Sequence, residues 1–230
     1  MGPRPDVEVL SRSFVLRGLP RPDLEQLALL MRPRAYRRGE VVFHQGDPGE
    51  TFHVLCRGRV KIVLGSEGGE EAVLGILGPG DVFGEMALLD GGPRSATIVA
   101  LEPVESATLG RADLLALLRR NPVAVEGLLA ALARKIREAS EEVGNLIFLD
   151  QQGRLARKLL DLAQTHGRPA GGGIEIDLPL TQQELGAIIG ATRTRVNGLL
   201  RLYEAQGIIA LKGRRIVILK PEALQRRVTP

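Results

Sequence analysis

The stretch from residue 35 to residue 110 constrains the fold more than any other part of this 230-residue chain. Apolar runs of four to seven residues alternate there with glycine-rich turn sequences such as QGDPGE and LGPGD. Short strands at regular spacing, separated by turn residues, are typical of an antiparallel sandwich or barrel. The expected strands lie in VVFHQ, TFHVLC, VKIVL, AVLGIL, ATIVAL and ESATLG.

The pattern changes from strand-like to helical after this stretch. Residues 111–120 predict a helix that Asn121-Pro122 interrupts, and a long helix is expected from Val123 to about Phe148. Its apolar residues recur at alternating spacings of three and four, which is an a/d heptad pattern. Such a narrow stripe favours pairing with the same helix of a second copy, and the alternative is packing on the chain's own β domain. The stripe consists of Leu129, Leu132, Ile136, Ala139, Val143 and Leu146.

The C-terminal third predicts a pair of short helices joined by a glycine turn. A helix at residues 151–166, a loop at GRPAGGG and a strand in IEIDLPL come first. Thr181 and Glu184 then form a capping box, Gly190 ends one helix and Thr192 begins the next. This is a helix-turn-helix, in which the second helix enters the DNA major groove with its N-terminal residues at the base edges.

Basic residues concentrate in the same third of the chain. Residues 151–230 contain 13 Lys or Arg against six Asp or Glu, whereas residues 1–150 contain 18 against 21. The hairpin expected in IIALKGRRIVIL would carry Lys212, Arg214 and Arg215 at its tip, as a basic wing suited to phosphates. The candidate DNA-contacting residues on the second helix are Thr192, Arg193, Thr194, Arg195 and Asn197.

Several classes of function have no support in the sequence. The single cysteine, Cys56, rules out an intramolecular disulfide and a cysteine-cluster metal site, and we expect no metal. No nucleophile–base motif or Walker-type loop is present, so we do not expect an enzyme. With neither a signal peptide nor an apolar run of membrane-spanning length, we expect a cytoplasmic protein with no membrane partner.

One stretch places three polar residues around a glycine-rich turn. FGEMALLDGGPRSAT, residues 83–97, contains Gly84, Glu85, Arg94 and Ser95. Backbone N–H groups at a helix start bind anions, and a guanidinium forms charge-assisted hydrogen bonds with phosphate. The stretch indicates an anion site. The alternative is a structural turn in which Arg94 pairs with a surface acid.

Four segments together resemble one known superfamily. RRGEVVFHQGDPGETFHVLCRGRVKI resembles its β-roll entrance, and FGEMALLDGGPRSAT resembles its phosphate-binding cassette. EEVGNLIFLD resembles the end of its dimer helix and the hinge near Leu149-Asp150, and LTQQELGAIIG followed by ATRTRVNGLLRLYEAQG resembles its DNA-binding helices. Over about residues 14–220 the chain is similar to transcription regulators of the cyclic-AMP receptor (catabolite activator) and fumarate–nitrate regulator superfamily.

The resemblance implies a cyclic nucleotide as effector, with cyclic AMP as the expected one. Gly84, Arg94, Ser95 and the Ala96 N–H are then expected to bind the cyclic phosphate, and Glu85 to accept from the ribose 2′-OH. In cyclic-AMP-responsive relatives, adjacent Thr and Ser on the dimer helix contact the base, the Ser from the partner subunit. Here the pair is Ala139-Ser140. Ser140 is expected to keep its contact, and Ala139 leaves cyclic GMP or another nucleotide as an alternative.

The resemblance also implies a homodimer that binds a palindromic operator in double-stranded DNA, with RNA polymerase as a further partner if the regulator is an activator. Thr181, Gln183 and Thr192 match phosphate-contact positions. Thr194 and Gly198 stand where the best-known branch has Glu and Arg, so the operator sequence is left open.

The expected fold is α+β, with three parts. Residues 1–122 are expected to form a jelly-roll-like β-roll that binds the cyclic nucleotide, residues 123–148 a dimerisation helix, and residues 149–230 a winged helix-turn-helix domain. The alternatives on the same scaffold are a ligand-independent regulator and a haem or redox sensor.

Overall fold

The computed structural model describes residues 5–13, 15–66, 68–178, 180–213 and 215–228. The chain divides into two compact units, Met1–Arg137 and Glu138–Pro230, and one long helix continues across the division. Within the described residues, every helix is too short or too polar to span a lipid bilayer.

The first unit is built on two four-stranded antiparallel sheets. One has the strand order β1-β8-β3-β6 and the other β2-β7-β4-β5. The β domain predicted from residues 35–110 is therefore confirmed, although β1, the two-residue β6 and α1 were not predicted. Its elements are α1 (Val7–Arg12), α2 (Arg21–Leu30), β1 (Arg32–Tyr36), β2 (Val41–Phe43), β3 (Thr51–Arg57), β4 (Val60–Gly65), β5 (Glu71–Leu77), β6 (Val82–Phe83), α3 (Glu85–Asp90), β7 (Thr97–Ala100), β8 (Val104–Gly110), α4 (Arg111–Arg120) and the start of α5 (Pro122–Phe148).

Strand β3 is buried on both faces, which explains its nearly continuous apolar sequence. Phe52 and Val54 belong to the core that the helices cover. Leu55 belongs instead to the second cluster, together with Phe83 of β6 and Ile98 of β7. Because side chains alternate along a strand, Thr51 and His53 project to the opposite face from Phe52 and Val54.

Helix α5 carries two different apolar surfaces. Ala124, Leu128 and Ala131 are buried in the core of the first unit. The predicted heptad stripe is mostly exposed: Leu129 is 60% exposed and Ile136 67%, and Val143 and Leu146 are each 54% exposed. Leu132 of the stripe packs against the same core, whereas the four exposed members have no such cover in a single chain.

The second unit combines helices with a small antiparallel sheet of strand order β11-β12-β10-β9. The loop predicted at GRPAGGG is wrong for its first four residues, because Gly167–Ala170 pairs with the next strand. Gly171 and Gly172, with φ of +48° and +89°, make the turn between the two strands. The elements are the end of α5, then α6 (Gln151–His166), β9 (Gly167–Ala170), β10 (Gly173–Ile176), α7 (Gln182–Ile189), α8 (Arg193–Ala205), β11 (Ile209–Lys212), β12 (Arg215–Ile218) and α9 (Pro221–Val228), the last of which was not predicted.

The break between α5 and α6 falls at Leu149-Asp150, as the sequence predicts. Asp150 is the N-cap of α6, and its Oδ1 accepts a hydrogen bond from the Gly153 N–H at 2.7 Å. Tyr203 of α8 is fully buried and donates its hydroxyl proton to Gln152 O, in the first turn of α6, at 2.8 Å. These contacts fix the start of α6 against the helix pair of the second unit.

Candidate functional site

Gly84 connects β6 to α3 in a conformation that only glycine adopts without strain. Its φ is +78°, and a Cβ at this position would lie 2.5 Å from Arg94 Nη1 and 2.9 Å from Thr51 O. The absence of a side chain therefore allows the Arg94 guanidinium to lie directly against the backbone at the start of α3. The sequence placed Gly84 and Arg94 in one turn, and the structure brings them into contact.

Arg94 is buried, and its hydrogen-bond acceptors among the described residues are neutral oxygen atoms. Nη1 donates to Gly84 O at 2.8 Å, while Nη2 donates to Thr51 O at 2.9 Å and to Thr51 Oγ1 at 3.1 Å. The guanidinium carbon lies 4.0 Å from the centroid of the Phe43 ring, a cation–π contact. Burial lowers the pKa of Arg94, and the carboxylates of Asp47 and Glu85 raise it.

The Nε atom of Arg94 has no hydrogen-bond partner among the residues that the structure describes. Within the same residues, the guanidinium makes no ion pair with a carboxylate. The acid partner of the predicted alternative is therefore not seen among these residues, although the hydrogen bonds of Arg94 to Gly84 and Thr51 do stabilise the turn. A buried guanidinium without an ion pair among these residues is a positive charge that an anion could neutralise.

Glu85 is the first residue of α3 and is only 2% exposed. Its Oε1 accepts from Nζ of Lys135 on α5 at 2.7 Å, and the same Nζ lies 3.4 Å from Val82 O. The sequence did not predict Lys135, since 50 residues separate it from Glu85 and no local pattern links them. Glu85 is therefore paired with Lys135 of the long helix α5.

The remaining predicted ligand contacts differ in their surroundings. Ser95 is exposed, and its Oγ lies 3.6 Å from Met86 Sδ. Ala96 is buried just before β7. Ser140 is exposed on the part of α5 that belongs to the second unit.

The helix-turn-helix is confirmed with both of its predicted caps. In α7, Thr181 Oγ1 accepts from the Glu184 N–H at 3.2 Å, and Glu184 Oε2 accepts from the Thr181 N–H at 2.8 Å. Gly190 ends α7 in the left-handed region, with φ of +65°, and Thr192 Oγ1 caps α8 by accepting from the Arg195 N–H at 3.2 Å. The caps satisfy backbone donors at the start of each helix.

The predicted contact residues line the exposed side of this helix pair. The buried side of α8 consists of Val196, Leu199, Leu200 and Tyr203. Gln183 on α7 is exposed, as are Arg193, Thr194 and Arg195 on α8. Arg195 Nε donates to Gln151 Oε1 at 2.9 Å, so one of the basic residues is tied to the start of α6.

Asn197 is half-buried, and its Oδ1 lies 3.5 Å from Gln182 Nε2 and 3.4 Å from Arg201 Nε. Arg201 was not among the predicted residues, although it lies two helical turns beyond Arg193 and is exposed. Beside it, a Cβ on Gly198 would meet nothing within 4 Å. The basic character of the exposed face of α8 thus extends further along the helix than predicted.

The wing is formed by β11 and β12, with Lys212 exposed at the end of β11. Arg215 Nη1 makes an ion pair with Glu175 Oε1 of β10 at 3.1 Å. Arg214, predicted as a wing contact, lies outside the described residues. The exposed Lys212 and the arginines of α8 give the second unit a basic surface suited to a phosphate backbone.

The architecture and the two sites define a class of protein, a cyclic-nucleotide-binding domain followed by a DNA-binding helix-turn-helix. Family models agree: the cyclic nucleotide-binding domain matches residues 33–121, and the Crp-like helix-turn-helix domain matches residues 153–227.

Curated relatives assign the family. The chain is 34% identical over 220 residues to the CRP-like cAMP-activated global transcriptional regulator of Mycobacterium tuberculosis, covering 96% of this chain and 98% of that protein. It is 36% identical over 199 residues to the cyclic AMP receptor protein of Thermus thermophilus, covering 86% of this chain and 89% of that protein. The chain belongs to the CRP/FNR family of transcription regulators.

Solved structures show the same fold. The c-di-GMP responsive global regulator CLP of Xanthomonas campestris superposes with a TM-score of 0.78 and is 24% identical, covering 86% of this chain and 99% of that chain.

Proposed function

We propose that this protein is a homodimeric transcription regulator whose binding to a palindromic DNA operator is controlled by cyclic AMP. The observation that carries the proposal is the buried Arg94 guanidinium, which neutral oxygen atoms hold while its Nε remains without a partner among the described residues. Since no carboxylate of the described residues contacts it directly, its positive charge is available to the cyclic phosphate. Ser95 and the Ala96 N–H would add further donors.

The acid in the turn supports a nucleotide rather than a simple phosphate ligand. Glu85 uses one carboxylate oxygen for Lys135, and a carboxylate has further lone pairs for the ribose 2′-OH. Cyclic AMP as effector is supported by the names of the Mycobacterium tuberculosis and Thermus thermophilus relatives. Ala139 differs from the threonine of cyclic-AMP-responsive relatives, so cyclic GMP and c-di-GMP, the latter named for CLP, are the alternatives to test.

The exposed stripe of α5 supports the homodimer. Ile136 and Val143 are seven residues apart, and each leaves more than half of its surface exposed in the single chain. Burying such a stripe against its own copy is the usual way for a heptad pattern to be satisfied. In the dimer, ligand binding would shift the equilibrium between arrangements of the two recognition helices through α5 and the break at Leu149-Asp150. Two α8 helices about one DNA turn apart would then contact two half-sites.

Calorimetric titration of the purified full-length protein tests the effector. We expect cyclic AMP to bind more tightly than cyclic GMP or c-di-GMP, and Arg94→Ala to weaken binding by about 2 kcal/mol, since a buried charge-assisted hydrogen bond is lost. Gel shifts with and without cyclic AMP then test control of DNA binding. Equal DNA affinity under both conditions would contradict control by cyclic AMP, and tighter binding of another nucleotide would reassign the effector.

Arg193 tests the DNA-binding face. We expect Arg193→Ala to reduce affinity for an operator selected from random DNA by about 1–3 kcal/mol, because an arginine at the start of the recognition helix contacts bases or phosphates. Arg226→Ala, on α9, is the matched control and should leave the affinity within about twofold. Similar losses for the two variants would show that α8 is not the reading helix.

A further inference from the structure

A series of polar side chains, buried except for the half-buried Thr51, connects Arg94 to strand β8. Arg94 Nη2 is 3.1 Å from Thr51 Oγ1, which is 3.1 Å from His53 Nε2. On the other side of the ring, His53 Nδ1 is 3.4 Å from Ser106 Oγ. His53 is 3% exposed and Ser106 2%, so their contact is shielded from water, whereas Thr51 is half-buried. Thr51 and His53 are next-nearest neighbours on β3, and Ser106 is on the adjacent strand β8.

The chemistry of the groups fixes the direction of the first hydrogen bond in the series, and the His53 tautomer sets the direction of the other two. A guanidinium only donates, so Thr51 Oγ1 accepts from Arg94, and its own proton is free to be donated to His53 Nε2. In that arrangement Nε2 is unprotonated and the imidazole proton is on Nδ1, facing Ser106 Oγ. The other neutral tautomer would reverse both hydrogen bonds of the ring, with Nε2 donating to Thr51 Oγ1 and Ser106 Oγ donating to Nδ1.

The surroundings of His53 keep the ring neutral. Burial lowers its pKa to about 3, and the positive charges of Arg94 and Arg34 act in the same direction. The ring stacks on Phe83 with a centroid distance of 4.6 Å and lies 5.9 Å from the Phe43 ring. A second proton, on Nε2, would face the Thr51 hydroxyl, which could then no longer donate its own proton to that nitrogen. Two cations, Arg94 and the imidazolium, would then donate to the same oxygen atom.

We propose that His53 is a positioning residue for the ligand site: by accepting the Thr51 hydroxyl proton, it directs the oxygen lone pairs of that hydroxyl toward Arg94. The guanidinium is thereby held by a side chain as well as by the Gly84 and Thr51 carbonyls. Its remaining donors then have a defined direction, which lowers the cost of ordering the arginine when an anion binds. The inference rests on the proposed function, since its ligand is the cyclic phosphate.

Cyclic AMP titrations of full-length variants test this role. Thr51→Val removes the hydroxyl at nearly constant shape, and His53→Phe removes the acceptor nitrogen but keeps an aromatic ring against Phe83. We expect each to weaken binding by about fivefold, as for the loss of one neutral hydrogen bond. The double variant should bind cyclic AMP as tightly as whichever single variant has the lower affinity, because both changes break the same series of hydrogen bonds. Thr51→Ser keeps the hydroxyl and should bind within about twofold of the parent.

Thr108→Val is the control for a merely structural effect. Thr108 is a buried residue of β8 whose hydroxyl donates to Arg32 O at 3.1 Å, outside the series that ends at Arg94. Its loss should lower the melting temperature about as much as Thr51→Val does, with cyclic AMP affinity unchanged. Nitrogen-15 NMR of the histidines should also show His53 as the Nδ1–H tautomer between pH 5 and pH 8.

The outcomes separate the inference from the proposed function. If Arg94→Ala binds cyclic AMP as the parent does, the ligand site itself is wrong. If Arg94→Ala weakens binding while Thr51→Val and His53→Phe do not, the site stands and the positioning role of His53 is wrong. Additive losses in the double variant, an Nε2–H tautomer, or an equal loss of affinity in Thr108→Val would also overturn the positioning role.

Discussion

The two candidate sites of this protein differ in the burial of their polar side chains. In the first unit, Arg94 and Glu85 are almost completely buried, and each is held by specific partners. In the second unit, Arg193 and Thr194 are exposed on a helix whose other side forms the core. A small ligand can be surrounded, so its site can be prepared inside the fold. A DNA duplex cannot be surrounded, so its readers remain on the surface and only the helices that carry them are fixed.

The difference predicts where substitutions will be costly. A change among buried polar groups leaves partners unsatisfied in a medium of low polarity, whereas an exposed group is replaced by water. We therefore expect large effects on stability in the first unit and small ones on the helix-turn-helix surface.

The largest effect is expected for Gly84→Ala. The new Cβ would clash with Arg94 Nη1 at 2.5 Å in a backbone with φ of +78°. We expect a loss of about 3 kcal/mol in the free energy of unfolding and a cyclic AMP affinity at least about 100-fold weaker, since strain and displacement of the guanidinium add. Gly39→Ala is the matched control, because its φ is +81° with nothing within 4 Å. It should lose only about 1 kcal/mol and keep ligand affinity. Equal losses of stability and affinity in the two variants would mean that backbone strain alone explains the effect of Gly84→Ala.

Lys135→Met is expected to cost about 3 kcal/mol of unfolding free energy, measured by urea denaturation. The substitution leaves the Glu85 carboxylate, 3% exposed in its side chain, without its cation. Adding Glu85→Gln to this variant should restore at least half of the loss. The exposed pair Arg21–Glu25 provides the comparison, since Arg21→Met should cost less than about 0.5 kcal/mol. A small loss at Lys135 would argue that the buried pair is solvated in solution.

Acid should destabilise the first unit through His53. Its pKa is lowered by burial from the ordinary histidine value of 6.5 to about 3 in the folded protein, so below pH 6.5 the unfolded chain takes up a proton that the folded chain does not. The stability contributed by the neutral ring is fully present above pH 6.5 and is lost as the pH falls toward 3, by about 2 kcal/mol at pH 5. Urea unfolding at pH 7.5 and pH 5 should show this extra loss in the parent and not in His53→Phe. An identical pH dependence in both would assign the acid sensitivity to other groups.

The smallest effect is expected on the DNA-binding surface, from Thr181→Ala. The variant loses the capping box of α7 and should cost about 1 kcal/mol in unfolding free energy. Thr165→Ala, an exposed threonine that bonds to Asp161 O within α6, should change stability by less than about 0.5 kcal/mol. A cost at Thr181 equal to that at Gly84 would remove the contrast between the two sites.

Local patterns predicted much of the fold because they record backbone chemistry. Thr181, Glu184, Gly190 and Thr192 fixed the limits of α7 and α8, and the structure shows their caps as expected. The heptad stripe predicted an apolar surface on α5, and four of its residues are exposed: Leu129, Ile136, Val143 and Leu146. By contrast, β9 was missed because GRPAGGG contains no apolar alternation, and only its partner strand makes it a strand.

By itself, the sequence determined that a glycine, an acid, an arginine and a serine share one turn, and that a helix pair with basic residues follows. These residues are close together in the sequence, and backbone geometry limits the distances and directions that such residues can adopt relative to one another. Only the tertiary structure decided what surrounds them. Lys135 reaches Glu85 across 50 residues, and Thr51 reaches Arg94 across 43. Sheet pairing and helix packing bring such groups together, and the free energy that selects those pairings comes from the whole core rather than from any one segment.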